Sequence, residues 1–154
     1  MINMGLVKIK GVDVVLQGLW KFGNDWVFDS RLSYTYQKAQ DFTDKSDKDT
    51  YGEQISYIPW HSGSAILNAG YKSWELNYSF IYTGERYDVS ANTPENYRLP
   101  WYTSDFSLAK KFSWRKYDFK LTLEVNNIFN QQYEVVRSYP MPGTNFKFIL
   151  NLTI

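Results

Sequence analysis

Tyr117-Asp-Phe-Lys-Leu-Thr-Leu-Glu-Val-Asn126 and Phe146-Lys-Phe-Ile-Leu-Asn-Leu-Thr-Ile154 are the two most regular runs of the chain. In the first, Tyr117, Phe119, Leu121, Leu123 and Val125 alternate with Asp118, Lys120, Thr122, Glu124 and Asn126. In the second, Phe146, Phe148, Leu150, Leu152 and Ile154 alternate with Lys147, Ile149, Asn151 and Thr153. Successive strand side chains point to opposite faces, so this period makes strands with one greasy and one wet face. Runs of about 9–11 residues are what a tilted strand needs to cross a bilayer.

The same alternation recurs upstream. Residues 26–37 place Trp26, Phe28, Leu32, Tyr34 and Tyr36 on one face. Residues 74–83 do so with Trp74, Leu76, Tyr78, Phe80 and Tyr82, and 102–112 form a further strand. Residues 12–22 read as a strand of mixed alternation, those before it as the end of an earlier strand, and 64–71 as a weaker strand. Short turn signals at Gly23-Asn24-Asp25, Lys72-Ser73 and Ser113–Lys116 separate long polar loops at 38–63, 84–100 and 127–144. The reading is all-β: an antiparallel up-and-down meander of about seven strands, part of a transmembrane β-barrel, because short turns at one end and long loops at the other mark bacterial outer-membrane barrels.

Face content supports this. Over the five clearest strands only Ser30, Ser104 and Lys110 interrupt the apolar face, and only Val27, Ile81, Ala109 and Ile149 interrupt the polar one. Trp20, Trp26, Trp74, Phe112, Trp114 and Tyr117 lie beside the short turns; Tyr36, Tyr82, Trp101 and Tyr102 lie beside the long loops. Two aromatic belts around an aliphatic band are what a bilayer with two interfaces selects. Lys110 lies near its turn, where its stem can snorkel to the interface.

Composition sets the outer limits. The chain has 154 residues with a formal net charge of +1 and no Cys, so it offers no basic field for nucleic acid and no disulfide or thiolate site. Mean hydropathy is −0.47, and nothing resembles the run of about 18 apolar residues that makes a transmembrane helix. Transmembrane strands escape such averaging because their apolar residues sit at every second position. Residues 1–10 lack the apolar core and cleavage site of a signal peptide.

Candidate sites are few. His61 is the sole histidine, which argues against a metal site and leaves a loop-packing role. The acidic run Asp41–Asp49 lacks the ligand order of an EF-hand and reads as a solvated loop. Asp29, Arg31, Glu75, Asp105, Lys111, Asp118, Lys120, Glu124 and Lys147 intersperse both signs on the wet face, as ion pairs within a wall would. No Ser-His-Asp set forms around a single loop histidine, so no catalytic, cofactor or metal residue is assigned and no enzyme is expected. Among the loop aromatics, Trp60, Tyr87, Tyr97 and Tyr133 are the candidate ligand contacts.

The order of several short motifs resembles the C-terminal end of TonB-dependent receptors. Asn126-Asn127-Ile128-Phe129-Asn130-Gln131-Gln132-Tyr133 resembles the family's turn after the penultimate strand, and Tyr139-Pro140-Met141-Pro142-Gly143-Thr144-Asn145-Phe146 its lead-in to the last strand. Ile58-Pro59-Trp60-His61-Ser62 is similar to its lead-in to a descending strand, and Tyr82-Thr83-Gly84-Glu85-Arg86-Tyr87 to its strand exit. Asn96–Tyr102 and Asp105–Leu108 also fit; the resemblance runs over 55–154 and, more loosely, 5–40. Two departures stand out: Thr144 where Arg is usual, and Ile154 where a terminal aromatic is usual.

The resemblance implies a C-terminal segment, 1–154, of a receptor barrel in the outer membrane of a Gram-negative bacterium. The family builds about 22 strands around a plug; here the plug domain and the earlier strands are absent. The implied role is uptake of a large scarce ligand, either an iron chelate, cobalamin or a glycan. The implied partners are outer-membrane lipid, the remaining strands and plug, the barrel assembly machinery acting on Phe146, Phe148, Leu150, Leu152 and Ile154, and TonB only through the missing plug. No nucleic acid or cofactor is expected. The alternatives are a soluble aromatic-rich β-domain that grips carbohydrate, and a small outer-membrane barrel serving as enzyme or adhesin.

Overall fold

The computed structural model describes residues 5–153. In chain order its strands are β1 Val7–Phe22, β2 Trp26–Asp41, β3 His61–Tyr71, β4 Trp74–Thr83, β5 Arg86–Tyr87, β6 Tyr97–Arg98, β7 Trp101–Trp114, β8 Tyr117–Asn126, β9 Glu134–Val136, β10 Tyr139–Pro140 and β11 Asn145–Thr153. Seven of them form one antiparallel sheet in the order β1-β2-β3-β4-β7-β8-β11. The short pairs β5/β6 and β9/β10 stand as two-stranded ladders inside the long loops. The last strand pairs only with β8 among the described residues, from Asn145 opposite Asn126 to Thr153 opposite Asp118. β1 and β11 are thus the two ends of the sheet, each with one unpaired edge among the described residues.

The turns are tight because the backbone at their first residue is left-handed: Gly23 (φ 59°), Lys72 (φ 52°) and Arg115 (φ 57°). This hand matches the twist of the flanking strands. Glycine supplies it without strain at position 23, whereas Lys72 and Arg115 carry the small cost of a side chain there.

Register puts the alternating residues in continuous rows. Phe22, Trp26, Tyr71, Trp74, Lys110, Leu121 and Leu150 are successive cross-strand partners on one face. Among the described residues no second layer covers that face. Phe146 is 76% exposed and Phe148 67%, and among the described residues the buried apolar side chains are only Ala39, Ile55 and Ala109. A soluble sandwich would close its core face against a second sheet. This sheet has no such partner, so hydrocarbon must supply the apolar environment.

The height of the greasy face can be measured on β1 and β2. Val12, Val14, Leu16, Trp20 and Phe22 pair outward with Tyr36, Tyr34, Leu32, Phe28 and Trp26. One row beyond Val12 the outward residues become Lys10 and Lys38. On the inward face the character reverses there: Ile9 faces Ala39, whose carbonyl accepts the Ile55 N–H at 3.1 Å. From Val12 to Phe22 is ten steps (22 − 12) within β1. At about 3.3 Å per residue and a tilt of about 40°, ten steps rise about 25 Å, the height of the apolar band of outer-membrane barrels.

Both interfaces carry their aromatics. At the short-turn end Trp26 stacks on Phe28 (5.5 Å) and packs on Tyr71 (4.3 Å), and Phe112 stacks on Phe119 (5.2 Å). Cations cover several of these rings: Lys72 over Tyr71, Arg115 over Trp114 and Lys116 over Tyr117. Lys110 does snorkel. Its ammonium lies over Trp74 (4.4 Å) and donates to Ser73 Oγ (2.7 Å) in the neighbouring turn.

Several boundaries differ from the sequence reading. β1 is one strand from Val7, not the tail of one strand followed by another. β2 continues to Asp41 and β3 begins at His61, so the first loop is shorter than 38–63. β7 runs 101–114 rather than 102–112. For β1 and β2 the cause is shared. Outside the bilayer the strands keep pairing in water after alternation changes sense, and a hydropathy pattern marks the band, not the ladder. His61 is not packed into the loop. It lies on the outward face beside Tyr36 (5.1 Å), with Nδ1 bonded to the Tyr34 hydroxyl at 2.7 Å. Ile154 lies outside the described residues.

Leu121 and Thr122 test the assignment of faces. In membranes, Leu121→Arg is expected to cost about 2–4 kcal/mol of insertion, and Thr122→Arg, on the lumen face, far less. Heat-modifiable migration in outer membranes measures it; equal losses, or a larger loss for Thr122→Arg, would mean the faces are wrongly assigned.

Candidate functional site in the long loops

The long loops are where the described chain buries polar side chains. Gln54, Arg86, Asp88 and Asn127 are buried in the loops or at their first residue, and Thr103 and Ser104 are buried in the loop-side end of β7. Three loops follow β2, β4 and β8, and each is tied to the other two.

The first loop builds itself from its aspartates. Asp41 Oδ1 accepts the Thr43 N–H (2.8 Å), Asp44 Oδ1 accepts the Ser46 N–H (2.8 Å), and Asp47 Oδ1 accepts the Asp49 N–H (3.0 Å). These are Asx turns, the local bonds by which Asp competes with regular structure. Hydrogen bonds from Ser46 hold the Asp44 carboxyl below the usual carboxylate range. The acidic run is thus a turn-forming segment.

The second loop leaves β4 through Gly84, whose N–H donates to the His61 carbonyl at 2.8 Å. A Cβ at Gly84 would lie 2.7 Å from that same oxygen, so only glycine lets the strands part there. Next come Arg86, 3% exposed, and Asp88, whose side chain is 1% exposed. Arg98 Nε donates to Asp88 Oδ2 (2.8 Å), and Arg137 of the third loop approaches the same oxygen at 3.4 Å. Arg86 Nη2 donates to the Glu134 carbonyl (2.9 Å) and more weakly to that of Val135 (3.2 Å). Burial pushes the Arg86 pKa down from its usual value, and Arg98 adds to this. The first loop joins through the Tyr57 N–H to the Tyr87 carbonyl (2.7 Å) and Asn92 Nδ2 to Glu53 Oε2 (3.0 Å).

Asn127 organises the third loop. It adopts a left-handed backbone (φ 51°), which Asn tolerates better than most residues. Its N–H donates to Asp105 Oδ1 (2.7 Å), its Nδ2 to the Gln131 carbonyl (3.0 Å), and its Oδ1 accepts the Gln131 N–H (2.9 Å). Thr144 closes the loop, its hydroxyl donating to the Asn127 carbonyl at 2.7 Å. The residue that stands where the resemblance expects Arg therefore serves as a local clasp.

Between the second and third loops lies a cavity of about 400 Å³ lined by Tyr97, Trp101, Tyr133, Gln131 and Gln132 among others. Trp101 stacks on Tyr133 at 4.5 Å, and the Trp101 indole N–H has no acceptor among the described residues. Burial, and then the charge of Asp105, raise the Tyr133 hydroxyl above its usual pKa. The hydroxyl of Tyr97 is raised too, again first by burial and then by Glu85.

The four aromatics chosen from sequence do not form one site. Tyr97 and Tyr133 share the cavity. Tyr87 stands edge-on to Tyr97 at 5.7 Å. Trp60 is elsewhere, beneath the Lys38 ammonium at 4.8 Å. Trp101, read as a belt residue, turns inward instead: it pairs with Thr83 on the wet face. Its odd-numbered place beside Thr103 and Asp105 was the available signal. Arg86 and Asp88 were missed as a buried charge node; only their position just after the Gly84 strand exit marked them.

The arrangement is that of a transmembrane wall: a greasy outer face, a polar inner face bearing Glu75–Lys120 and Glu124–Lys147 ion pairs, and a capping set of interlocked loops. A family model described as TonB dependent receptor-like, beta-barrel, matches residues 1–128, and the chain belongs to that family. Membership carries an outer-membrane transport role of the receptor type. The match ends within the third loop, before the clasp at Thr144 and the last strand.

Asp88→Ala removes the shared acceptor of Arg98 and Arg137. It should loosen the loops by about 2–3 kcal/mol, below the range for a fully buried pair because the arginines are partly exposed. Trypsin should then nick at Arg98 and Arg137 faster, with the wall still heat-modifiable. Unchanged nicking would show that the node does not hold the loops.

Proposed function

We propose that this chain is the C-terminal segment of a TonB-dependent receptor, contributing wall and outer loops. The remaining strands and the plug belong to the rest of the same receptor. The observation that carries this is the pair of edges on β1 and β11 that are open among the described residues, in a wall that faces lipid. Unpaired N–H and C=O groups are intolerable in hydrocarbon, so further strands must pair with both. Energy reaches the receptor from TonB through the plug. The barrel assembly machinery acts on the last strand, Phe146 to Ile154.

The cargo is a large scarce ligand of one of three classes: an iron chelate, cobalamin or a glycan. The stacked Trp101–Tyr133 pair, with the amides of Gln131 and Gln132 beside it, supports a ligand with flat or apolar faces edged by polar groups. Binding of each class to receptor purified from outer membranes tests this. Trp101→Ala and Tyr133→Ala should each weaken the true ligand by about tenfold, given the ~1.5 kcal/mol attached to such aromatic contacts. Wild-type affinity in both variants would remove the cavity from the binding path.

Deleting residues 150–154 removes half of the closing strand. Heat-modifiable receptor should disappear from outer membranes, while Ile154→Phe should assemble at least as well as the parent. Normal assembly of the deletion would mean this strand does not close the wall.

A further inference from the structure

Tyr133 lines two cavities. One is the loop cavity of about 400 Å³; the other, of about 280 Å³, lies further down the inner face between Thr103, Asp105, Asn126, Asn145 and Lys147. On β7 the inward residues Trp101, Thr103 and Asp105 lead from the first to the second. Trp101 and Asp105 stand four residues apart, a run of about 13 Å at ~3.3 Å per residue, more than one pyranose ring spans. The lower pocket is short of donors. Asp105 Oδ1 accepts the Asn127 N–H (2.7 Å), and its other oxygen has no hydrogen-bond partner among the described residues. Asn126 and Asn145 commit their amide N–H groups to Asn145 Oδ1 (3.0 Å) and the Gly143 carbonyl (3.1 Å), which leaves Asn126 Oδ1 as a second acceptor. The buried Trp101 indole N–H, in contrast, needs an acceptor. Hydroxyl groups both donate and accept, so a ligand rich in them meets both needs. Neither cavity offers a free cation for an anionic chelate. Arg98, in the upper one, is bound to Asp88 (2.8 Å), and Lys147, in the lower, lies 3.7 Å from Glu124. A corrin macrocycle is too broad for the lower pocket.

We propose that the cargo is a neutral oligosaccharide and that it occupies two subsites, one on each side of Tyr133. One sugar ring lies in the loop cavity against the Trp101–Tyr133 stack, with the amides of Gln131 and Gln132 at its edge. A further ring lies in the lower pocket and donates its hydroxyls to Asp105 Oδ2 and Asn126 Oδ1. Asp105 is the specificity-determining residue, because a carboxylate rewards hydroxyl donors and repels anions. The proposal rests on the reading of the loop cavity as part of the binding path.

The test uses the whole receptor purified from outer membranes, titrated by calorimetry. The probes are maltohexaose, cellohexaose, laminarihexaose and mannohexaose, with ferric enterobactin, ferrichrome and cyanocobalamin as the competing classes. At least one hexaose should bind, and the chelates and cobalamin should not. Asp105→Asn keeps the acceptor of the Asn127 N–H and the side-chain shape, and should weaken that hexaose about tenfold. The corresponding disaccharide, which the loop cavity holds alone, should lose less than about twofold in the same variant. Trp101→Ala should weaken both sugars. If Asp105→Asn fails to assemble, Asn126→Ala should cost the hexaose about fivefold and spare the disaccharide. Failure of every hexaose to bind overturns the proposal; a chelate or cobalamin that binds instead, and is weakened by Trp101→Ala, leaves the loop cavity in the binding path. Equal hexaose affinity in Asp105→Asn overturns the lower subsite, whereas wild-type affinity in Trp101→Ala counts against the cavity itself.

Discussion

Inside a bilayer a backbone N–H or C=O has no water to turn to, and every ladder bond must be made by protein. That constraint explains why the described chain is all strand across the band, why β4, β7, β8 and β11 pair without interruption there, and why the connections on one side shrink to two or three residues. It also explains the faces. A single-layer wall has hydrocarbon on one side and a wet interior on the other, so each strand must change character at every residue. The ion pair of Glu75 with Lys120 and the Asn68–Asp29 hydrogen bond (2.8 Å) are affordable because they lie on the inner side.

Above the band the constraint lifts, and the chain responds by leaving the ladder. Irregular backbone in the loops needs partners of its own, and side chains provide them. Asn127 satisfies groups from Asp105 to Gln131, Gln54 Nε2 bonds the Ile58 carbonyl at 2.6 Å, and Arg86 bonds two carbonyls of β9. The buried Asp88 carboxylate then holds arginines of two loops at one point. Removing one partner of such a group leaves a buried charge, which is why the node acts as a lock and not merely as a surface attraction.

The wall was legible in the sequence because each lipid-facing position states its environment. Leu121 beside Thr122 already gives the face, and Trp74 with Lys72 already gives the interface. The ladder outside the band was less so: Ile9 and Ala39 turn inward where Val12 and Tyr36 turn outward, and this reversal looks like the end of a strand. The candidate site was read least well. Tyr97 and Tyr133 meet only because two loops fold towards each other, and that depends on Arg86 reaching Glu134 across 48 positions of sequence. Alternation carries no information about such contacts. Trp60 shared their composition and their loop setting, yet its fate was decided by Lys38 on a strand.

The row at Val12 and Tyr36 makes the wall a ruler as well as a barrier. An apolar height of about 25 Å is shorter than the ~30 Å hydrocarbon core of an average bilayer, and bacterial outer membranes are thinner than that average. Hydrophobic mismatch costs fractions of a kcal/mol per ångström, summed along the perimeter of the protein. Against a thicker membrane, Lys10, Lys38 and the amphipathic aromatics would be drawn towards the hydrocarbon, or the lipids around them would have to compress. The span between the Val12–Tyr36 row and the Phe22–Trp26 row thus encodes a preference for a thin membrane.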